Sequence, residues 1–247
     1  MEKMMHLAAQ YLAAAGISFV EKEADDSHTN LAFSAESRSL ETRPLADSGD
    51  VLSLNYTNFS LEWTGKHTKT TFALDGQTHS NVLVWIEQQL TTSKIGKPYI
   101  YQFHYDLPHK ITPSFRFQAN PKKLQKLMEL RILADTVIES FLEDHQLSSA
   151  IRIWPHHFDT GALINLGGKI DHTAGFGLAT PDTMVDDHYF YFSGYHAHNA
   201  LDTVNFNQLT NGKWHSNGFK GAVLRATGVD KQTATTFFTE ALNAYMT

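Results

Sequence analysis

The chain has 247 residues, 42% hydrophobic and 19% charged, so it can bury a substantial core and has no charge-rich block of the kind that stays disordered. Its formal charge of −6 at pH 7 argues against a nucleic-acid-binding surface, which requires clustered Lys and Arg. Cysteine is absent, which excludes disulfides, thiolate metal sites and cysteine nucleophiles.

The first predicted element is a helix over residues 4 to 15, where apolar side chains recur at helical spacing and Gly16 can end the helix. His6 and Gln10 interrupt the apolar run that a signal peptide would need, and no stretch reaches the ~18 apolar residues of a membrane span. We therefore expect an amphipathic helix, a cytoplasmic location, and neither a membrane nor a nucleic-acid partner.

A polar run over residues 25 to 30 follows this helix. Its Asp, Ser, His, Thr and Asn side chains could coordinate a cation, and the same residue types are typical of a loop or a helix cap. The sequence leaves both interpretations open.

Apolar and polar residues then alternate over residues 52 to 74, in three runs separated by turn-forming residues. This alternation predicts an antiparallel meander with one buried face. Helical spacing replaces it over residues 80 to 90, where Thr78 or Ser80 can cap a second helix. Alternating aromatic residues predict a further strand over residues 99 to 105.

The longest predicted helix covers about residues 121 to 146, because Pro121 follows the cap residue Asn120 and an apolar stripe continues from there. A short strand at residues 222 to 226 and a helix capped by Asp230 come last. We predict an α+β fold: mostly antiparallel β-sheet in two meander or hairpin segments, a long central helix, and N- and C-terminal helices. No linker composition separates the halves, which favours a single compact domain over residues 1–247.

Two His-aromatic-Asp triplets suggest that this domain contains two pseudo-repeated halves, about 1–118 and 119–247. The triplets are His104-Tyr105-Asp106 and His157-Phe158-Asp159. A triplet match is a weak signal for a repeat.

Half of the histidines lie between residues 156 and 215, and this concentration is the main functional clue in the sequence. A strand-like run ends at Trp154-Pro155 and leads directly into two of these imidazoles and the carboxylate of Asp159. The seven are His156, His157, His172, His188, His196, His198 and His215.

The dipeptide Gly167-Gly168 predicts a two-residue hairpin turn, since glycine supplies the positive φ that tight turns need. Such a turn sets Asp159 opposite Phe176. Because paired residues share a face of the sheet, His157, Asp159 and His172 are predicted on one side. A His and Asp pair there could form a site, or Asp159 could fix a histidine tautomer or cap a backbone turn.

His196 and His198 suggest a metal-binding alternative. A spacing of two residues puts both imidazoles on one side of an extended segment, as when a strand offers two ligands to one metal. His157 and Asp159 complete this predicted set for a divalent metal. The predicted ligand-binding residues are Trp154, His156, His157, Asp159, Tyr191, Tyr195, Trp214 and His215.

Several motifs between residues 154 and 224 carry a family resemblance: Trp-Pro-His-His-Phe-Asp at residues 154 to 159, Gly-Phe-Gly at 175 to 177, Tyr-Phe-Tyr at 189 to 191, and Gly-Ala-Val-Leu at 221 to 224. The chain resembles the bacterial uncharacterised proteins of domain-of-unknown-function family 5996 and their relatives, which have similar Trp-x-x-x-Phe-Asp and Pro-Tyr-x-Tyr signatures. His188 stands where that pattern has proline, and His156 where it is often acidic. The resemblance implies a bacterial cytoplasmic protein and supplies no mechanism.

Three functions remain open at the level of sequence. The chain could bind a small polar ligand in a pocket lined by His, Asp and aromatic side chains. It could be a metal-dependent, hydrolase-like enzyme with an open position for an activated water. It could also be a structural or protein-interaction domain that uses its aromatic residues to form a homo-oligomer. The evident serine hydrolase, P-loop and zincin motifs do not occur.

Overall fold

The computed structural model describes residues 1–167 and 171–246. Within these residues the chain forms four α-helices and two antiparallel sheets, of five and seven strands, which confirms the predicted α+β fold. None of the helices in this described part is long and apolar enough to cross a membrane.

The chain divides into two compact units. The first unit consists of Met1–Leu130 and Ile153–His156, and the second of Arg131–Arg152 and His157–Thr247. The single compact domain and the pseudo-repeat of its halves stay predictions.

Helix α1 (Glu2–Phe19) runs through the core of the first unit. Every residue from 5 to 16 is buried, so the expectation of a one-faced amphipathic helix is wrong. A helix buried all round must satisfy its polar side chains internally. His6 Nε2 and Gln10 Nε2 each donate to the carbonyl oxygen of Pro155, at 2.8 Å.

The first sheet is the predicted meander, and it lies with its strands in chain order. The buried side chains of Leu52 and Leu54 pair with Trp63 and Leu61 across two of the strands, so the alternation in the sequence marks the buried face correctly. The strands are β1 (Ala32–Ser34), β2 (Ser39–Glu41), β3 (Val51–Asn55), β4 (Ser60–Thr64) and β5 (Lys69–Ala73).

Helix α2 (His79–Ser93) follows the meander, and the hydroxyl of Thr78 accepts from the backbone amide of Asn81 as the predicted cap. The strand predicted over residues 99 to 105 is wrong, because the structure has no strand over these residues. Their side chains bind α1 instead. Tyr99 Oη donates to the backbone oxygen of Tyr11 at 3.1 Å, and Tyr105 Oη donates to Gln10 Oε1 at 2.8 Å. Alternation correctly indicated a segment with one buried side, but not how its backbone is paired.

The predicted long helix is α3 (Pro121–Asp144), which begins in the first unit and continues into the second. The last helix is α4 (Lys231–Met246), whose first turn is capped by Asp230 as predicted. Between them lie β6 (Arg152–Trp154), β7 (Asp159–Asn165), β8 (His172–Ala179), β9 (Tyr189–His196), β10 (Asn199–Ala200), β11 (Lys213–His215) and β12 (Gly221–Arg225).

The second sheet has the order β11-β12-β9-β8-β7-β6, with β10 paired to β9 outside this path. One face packs on the helices of the second unit. The ring of Phe176 lies 4.9 Å from that of Phe141 on α3 and 5.3 Å from that of Phe238 on α4. Asp159 belongs to the opposite face, because the strand places Thr160 and Ala162 on the side of Phe176.

The predicted register of the β7–β8 hairpin is wrong by three residues. Phe176 pairs with Ala162 rather than with Asp159, and Leu166 N donates to the backbone oxygen of His172 at 2.9 Å. Leu166 and His172 are therefore the last paired residues before the connection, and Gly168 of the predicted turn lies outside the described residues. Because the shift is odd, it moves His172 to the face opposite Asp159.

Candidate functional site

The side chains of Asp159 and Tyr191 meet on the sheet face that points away from the helices. Tyr191 Oη donates to Asp159 Oδ2 at 2.7 Å. Asp159 lies on β7 and Tyr191 on β9, so the hydrogen bond reaches across strand β8. The axes of β7 and β9 are roughly 10 Å apart. Gly177 of β8 pairs with Tyr191 on one side and with Gly161 on the other. With no side chain on either glycine, the tyrosine ring can lie across the sheet.

Arg131 fixes the backbone immediately before Asp159. Phe158 has a φ of 62°, a left-handed conformation that costs a bulky residue roughly 1–3 kcal/mol. Arg131 Nη2 donates to the backbone oxygen of Phe158 at 3.1 Å, and its guanidinium lies 4.8 Å from the centre of the Phe158 ring. Arg131 Nη1 also donates to the hydroxyl of Thr160. This buried arginine therefore sets the position from which Asp159 projects.

Asp159 is a buried carboxyl with an incomplete set of hydrogen bonds. It is 9% exposed, and Oδ1 is a buried atom with no hydrogen-bond partner in the structure. Burial raises the pKa of Asp159 above its ordinary value, and this effect outweighs the hydrogen bond from Tyr191 and the nearby charge of His157, which lower it. Leaving such an acceptor unsatisfied costs about 1–3 kcal/mol.

A second Tyr–Asp pair on the same sheet gives an internal comparison. Tyr189 Oη donates to Asp182 Oδ2, also at 2.7 Å. Asp182 Oδ1 accepts from the backbone amides of Met184 and Val185, at 2.8 and 2.9 Å. Burial is the largest single influence on the pKa of Asp182 and raises it, but the three hydrogen bonds together outweigh burial and the pKa is lowered. The two carboxyls therefore have the same tyrosine contact and opposite electrostatic environments.

The segment of residues 180–187 covers part of this face. Val185 and Met184 pack with Tyr189, Tyr191 and Val223 in a small apolar cluster. At its start, the hydroxyl of Thr180 donates to the backbone oxygen of His157 at 3.3 Å. His157 itself is exposed, and its charge is one of the influences that lower the pKa of Asp159.

The structure brings together only part of the predicted ligand-binding set. Asp159, Tyr191 and His157 form one group in the second unit. Tyr195 lies on the same face of β9, where its ring comes within 3.7 Å of the position that a Cβ on Gly175 would take.

The other predicted residues lie on other elements of the chain. His156 belongs to the first unit, as does Trp154, and its ring lies 5.4 Å from that of Tyr105. Trp214 and His215 lie on β11, at the far edge of the sheet from β7. Trp214 Nε1 donates to the backbone oxygen of Asn207. Neither β11 residue can reach Asp159, because three strands separate β11 from β7.

The extended His196–His198 segment is a wrong prediction. Ala197 and His198 have φ values of 44° and 72°, and Asn199 pairs back with His196, so the chain reverses between the two imidazoles. His196 pairs with His172, and their rings stack at 4.5 Å. Along β8, His172 is seven residues from Ala179, which neighbours Asp159 on the next strand. Seven residues of a strand span roughly 23 Å, so the two histidines lie about that far from Asp159. His196 therefore cannot share a metal ion with Asp159.

No group of three or more His, Asp or Glu side chains within residues 1–167 and 171–246 is arranged to hold a metal ion. The predicted metal ligands His157, Asp159, His196 and His198 do not lie together, because His196 is too far from Asp159. Sequence reasoning missed the roles of Arg131 and Asp182. A lone arginine in an otherwise apolar helix stripe was the one available signal for Arg131, while the Asp182 pair depends on how the 180–187 segment folds back.

Comparisons of the chain with known protein families, with curated proteins and with solved structures find no match. The function must therefore be argued from the site itself.

Proposed function

We propose that the protein binds a small polar ligand that donates a hydrogen bond or an ammonium group to Asp159 Oδ1, with Tyr191 and His157 beside it. One observation carries the proposal: a buried carboxyl oxygen has no partner, while the other oxygen of the same group is held by a tyrosine. A ligand donor at Oδ1 recovers the free energy that the orphan acceptor costs, about 1–3 kcal/mol.

The environment of Asp159 selects the chemistry of the ligand. A carboxyl acceptor with a tyrosine at its other oxygen suits a primary amine, an amino alcohol or an amino sugar better than an anion. Burial raises the pKa of Asp159, so an ammonium ligand must bind the ionised form and displace the proton. Affinity for such a ligand therefore rises with pH up to the raised pKa.

Asp159→Asn is the variant that separates a ligand site from a structural pair. The amide keeps an oxygen for Tyr191 and puts an N–H where Oδ1 stood, so it repels a donor while preserving the fold. Tyr191→Phe instead leaves both carboxyl oxygens without a partner, and it should lower stability as well as affinity. Asp182→Asn is the matched control, since it alters the other Tyr–Asp pair on the same sheet.

The experiment is a melting-shift screen with primary amines, amino alcohols and amino sugars, and with matching carboxylates as negative probes. The proposal expects at least one amine whose shift Asp159→Asn abolishes and Asp182→Asn retains. It is overturned if no compound has a shift that depends on Asp159, or if Asp159→Asn lowers the melting temperature by several degrees, because the pair is then structural.

The resemblance to family 5996, with the bacterial cytoplasmic origin it implies, is part of this proposal and adds no residue role to it. For the metal-dependent enzyme and the interaction domain, no contact in the described residues gives specific support.

A further inference from the structure

A cavity of about 560 Å³ lies in the first unit, outside the site of Asp159. It is formed by the end of α1, by the loop that follows α1, and by residues 97–104. Its size is within the range of roughly 300–1,000 Å³ that small-molecule sites span. The polar side chains that line it include Lys22, Asp26, His28, Lys97 and His104.

The cavity concentrates positive charge in an acidic chain. Lys22 and Lys97 both line it, while Asp26 is the one carboxylate among the described lining residues. The chain as a whole has a formal charge of −6. Two lysines over one carboxylate favour an anionic group, since an ammonium group attracts carboxylate or phosphate oxygens strongly.

Asp26 gives the cavity a second, opposite preference. Its Oδ2 lies 3.3 Å from His104 Nε2, whereas Oδ1 is a buried atom without a hydrogen-bond partner. Asp26 is held in a left-handed conformation with a φ of 57°. The Asp26 side chain is 38% exposed, so its carboxylate can also accept from an ammonium group of a ligand.

His28 also lines the cavity, as an uncharged imidazole that can donate a hydrogen bond. The backbone amide of Glu23 donates to His28 Nδ1 at 3.3 Å, so the ring carries its hydrogen on Nε2. Burial lowers the pKa of His28, and the charge of Asp26 raises it only in part. His28 therefore adds a hydrogen-bond donor without adding a charge at neutral pH.

Apolar side chains complete the lining. Ile17, Pro98 and Phe103 face the cavity together with Ile100, which is 52% exposed. An exposed isoleucine beside a charged wall is the kind of surface that an apolar ligand body covers.

We propose that this cavity binds a small zwitterion with an apolar body, such as an aliphatic amino acid. Its anionic group lies against Lys22 and Lys97, its ammonium donates to the Asp26 carboxylate, and its apolar part covers Ile100 and Phe103. The site is separate from that of Asp159 and does not depend on the function proposed for it.

Three probes of one shape separate the contributions: L-leucine, 4-methylpentanoate, which lacks the ammonium, and 3-methylbutylamine, which lacks the carboxylate. Titration calorimetry on the full chain should show leucine binding at least about tenfold more tightly than either single-charge probe. Equal affinity of leucine and 4-methylpentanoate overturns the role of Asp26, and absence of leucine binding overturns the proposal.

Variants test the same assignment. Asp26→Asn should weaken leucine by about tenfold and leave 4-methylpentanoate unchanged, while Lys97→Gln should weaken both. Lys66→Gln is the control, an exposed lysine that does not line the cavity. Asp159→Asn should leave leucine binding intact, so failure at one site is distinguished from failure at the other. Leucine affinity that is unchanged in both Asp26→Asn and Lys97→Gln contradicts the proposal, even where one variant alone folds poorly by circular dichroism.

Discussion

Asp159→Asn and Asp182→Asn should change the stability of the protein with opposite dependence on pH. The pKa of Asp159 is raised by burial, so the folded state retains a proton that the unfolded chain releases above its ordinary value of 3.8. The stability of the wild type relative to Asp159→Asn is therefore greatest below 3.8 and is lost as the pH rises through the folded pKa. Within that window the change reaches about 1.4 kcal/mol per pH unit.

Asp182 behaves in the opposite way, because its hydrogen bonds lower its pKa below 3.8. Its contribution is present above 3.8 and is lost as the pH falls through the folded pKa. Since Asp182 is exposed and water screens it, we expect Asp182→Asn to cost only about 1 kcal/mol at pH 7.

The assay is urea unfolding of the three proteins at half-unit steps from pH 3 to pH 8, followed by fluorescence. The wild type should lose stability relative to Asp159→Asn as the pH rises above 3.8, and the difference between the two curves should level off above the raised pKa. Parallel curves for this pair across the whole range would refute the argument that Asp159 is a buried carboxyl with a raised pKa.

Three further substitutions test other parts of the account. Asp50→Asn should lower the free energy of unfolding by about 1.5–3 kcal/mol at pH 7, because a carboxylate only 2% exposed accepts three side-chain hydrogen bonds. Burial raises the pKa of Asp50, but these bonds outweigh burial and the pKa is lowered, so the loss should shrink as the pH falls from 3.8 through the folded pKa. Gly177→Ala should cost roughly 3 kcal/mol, because a Cβ there would lie 2.0 Å from the backbone oxygen of Thr160. Asp135→Asn should stabilise the protein by about 1 kcal/mol at pH 7. Burial, and then the charge of Glu139, raise the pKa of Asp135 to about 6, so the stability that the protonated carboxyl contributes is lost as the pH rises through that value.

Chemical denaturation at pH 7 checks all three variants, with a repeat at pH 3 for Asp50→Asn and at pH 4 for Asp135→Asn. Gly175→Ala is the control for Gly177→Ala, because its nearest neighbour would be 3.7 Å away and the change should be tolerated. Equal losses at the two glycines, or a destabilised Asp135→Asn at pH 7, would contradict the packing and the electrostatics described above.

Local patterns in the sequence were sufficient for most elements of the fold. The alternation around Leu52 and Trp63 sets the buried face of the first sheet, and Asn120-Pro121 sets the start of the longest helix. These features depend on neighbours within a few residues, which sequence spacing records directly.

Pairing between segments was less predictable. The residues from 99 to 105 alternate like a strand, but the hydrogen-bonding groups of α1 are the partners of Tyr99 and Tyr105. The β7–β8 hairpin pairs Ala162 with Phe176, three residues away from the predicted register, and an odd shift reverses which side chains share a face.

The candidate site shows the same division. The sequence placed Asp159 and Tyr191 in one predicted set, and the structure joins them by a hydrogen bond. The sequence could not show why they meet. The Tyr191 side chain on β9 passes over Gly177 of β8 and reaches the Asp159 carboxyl on β7. His196 and His198 were grouped with Asp159 by residue type, and residue type carries no information about distance along a ladder.

The most direct test of the central claim is the affinity of the best-binding amine from the screen, measured by titration calorimetry from pH 4 to pH 8 in buffers of different ionisation enthalpy. Binding to the wild type should strengthen as the pH rises, by up to about tenfold per unit below the raised pKa of Asp159, with release of a proton. Asp159→Asn should lose that binding. Affinity that is independent of pH, or that is equal in Asp159→Asn, would contradict the account.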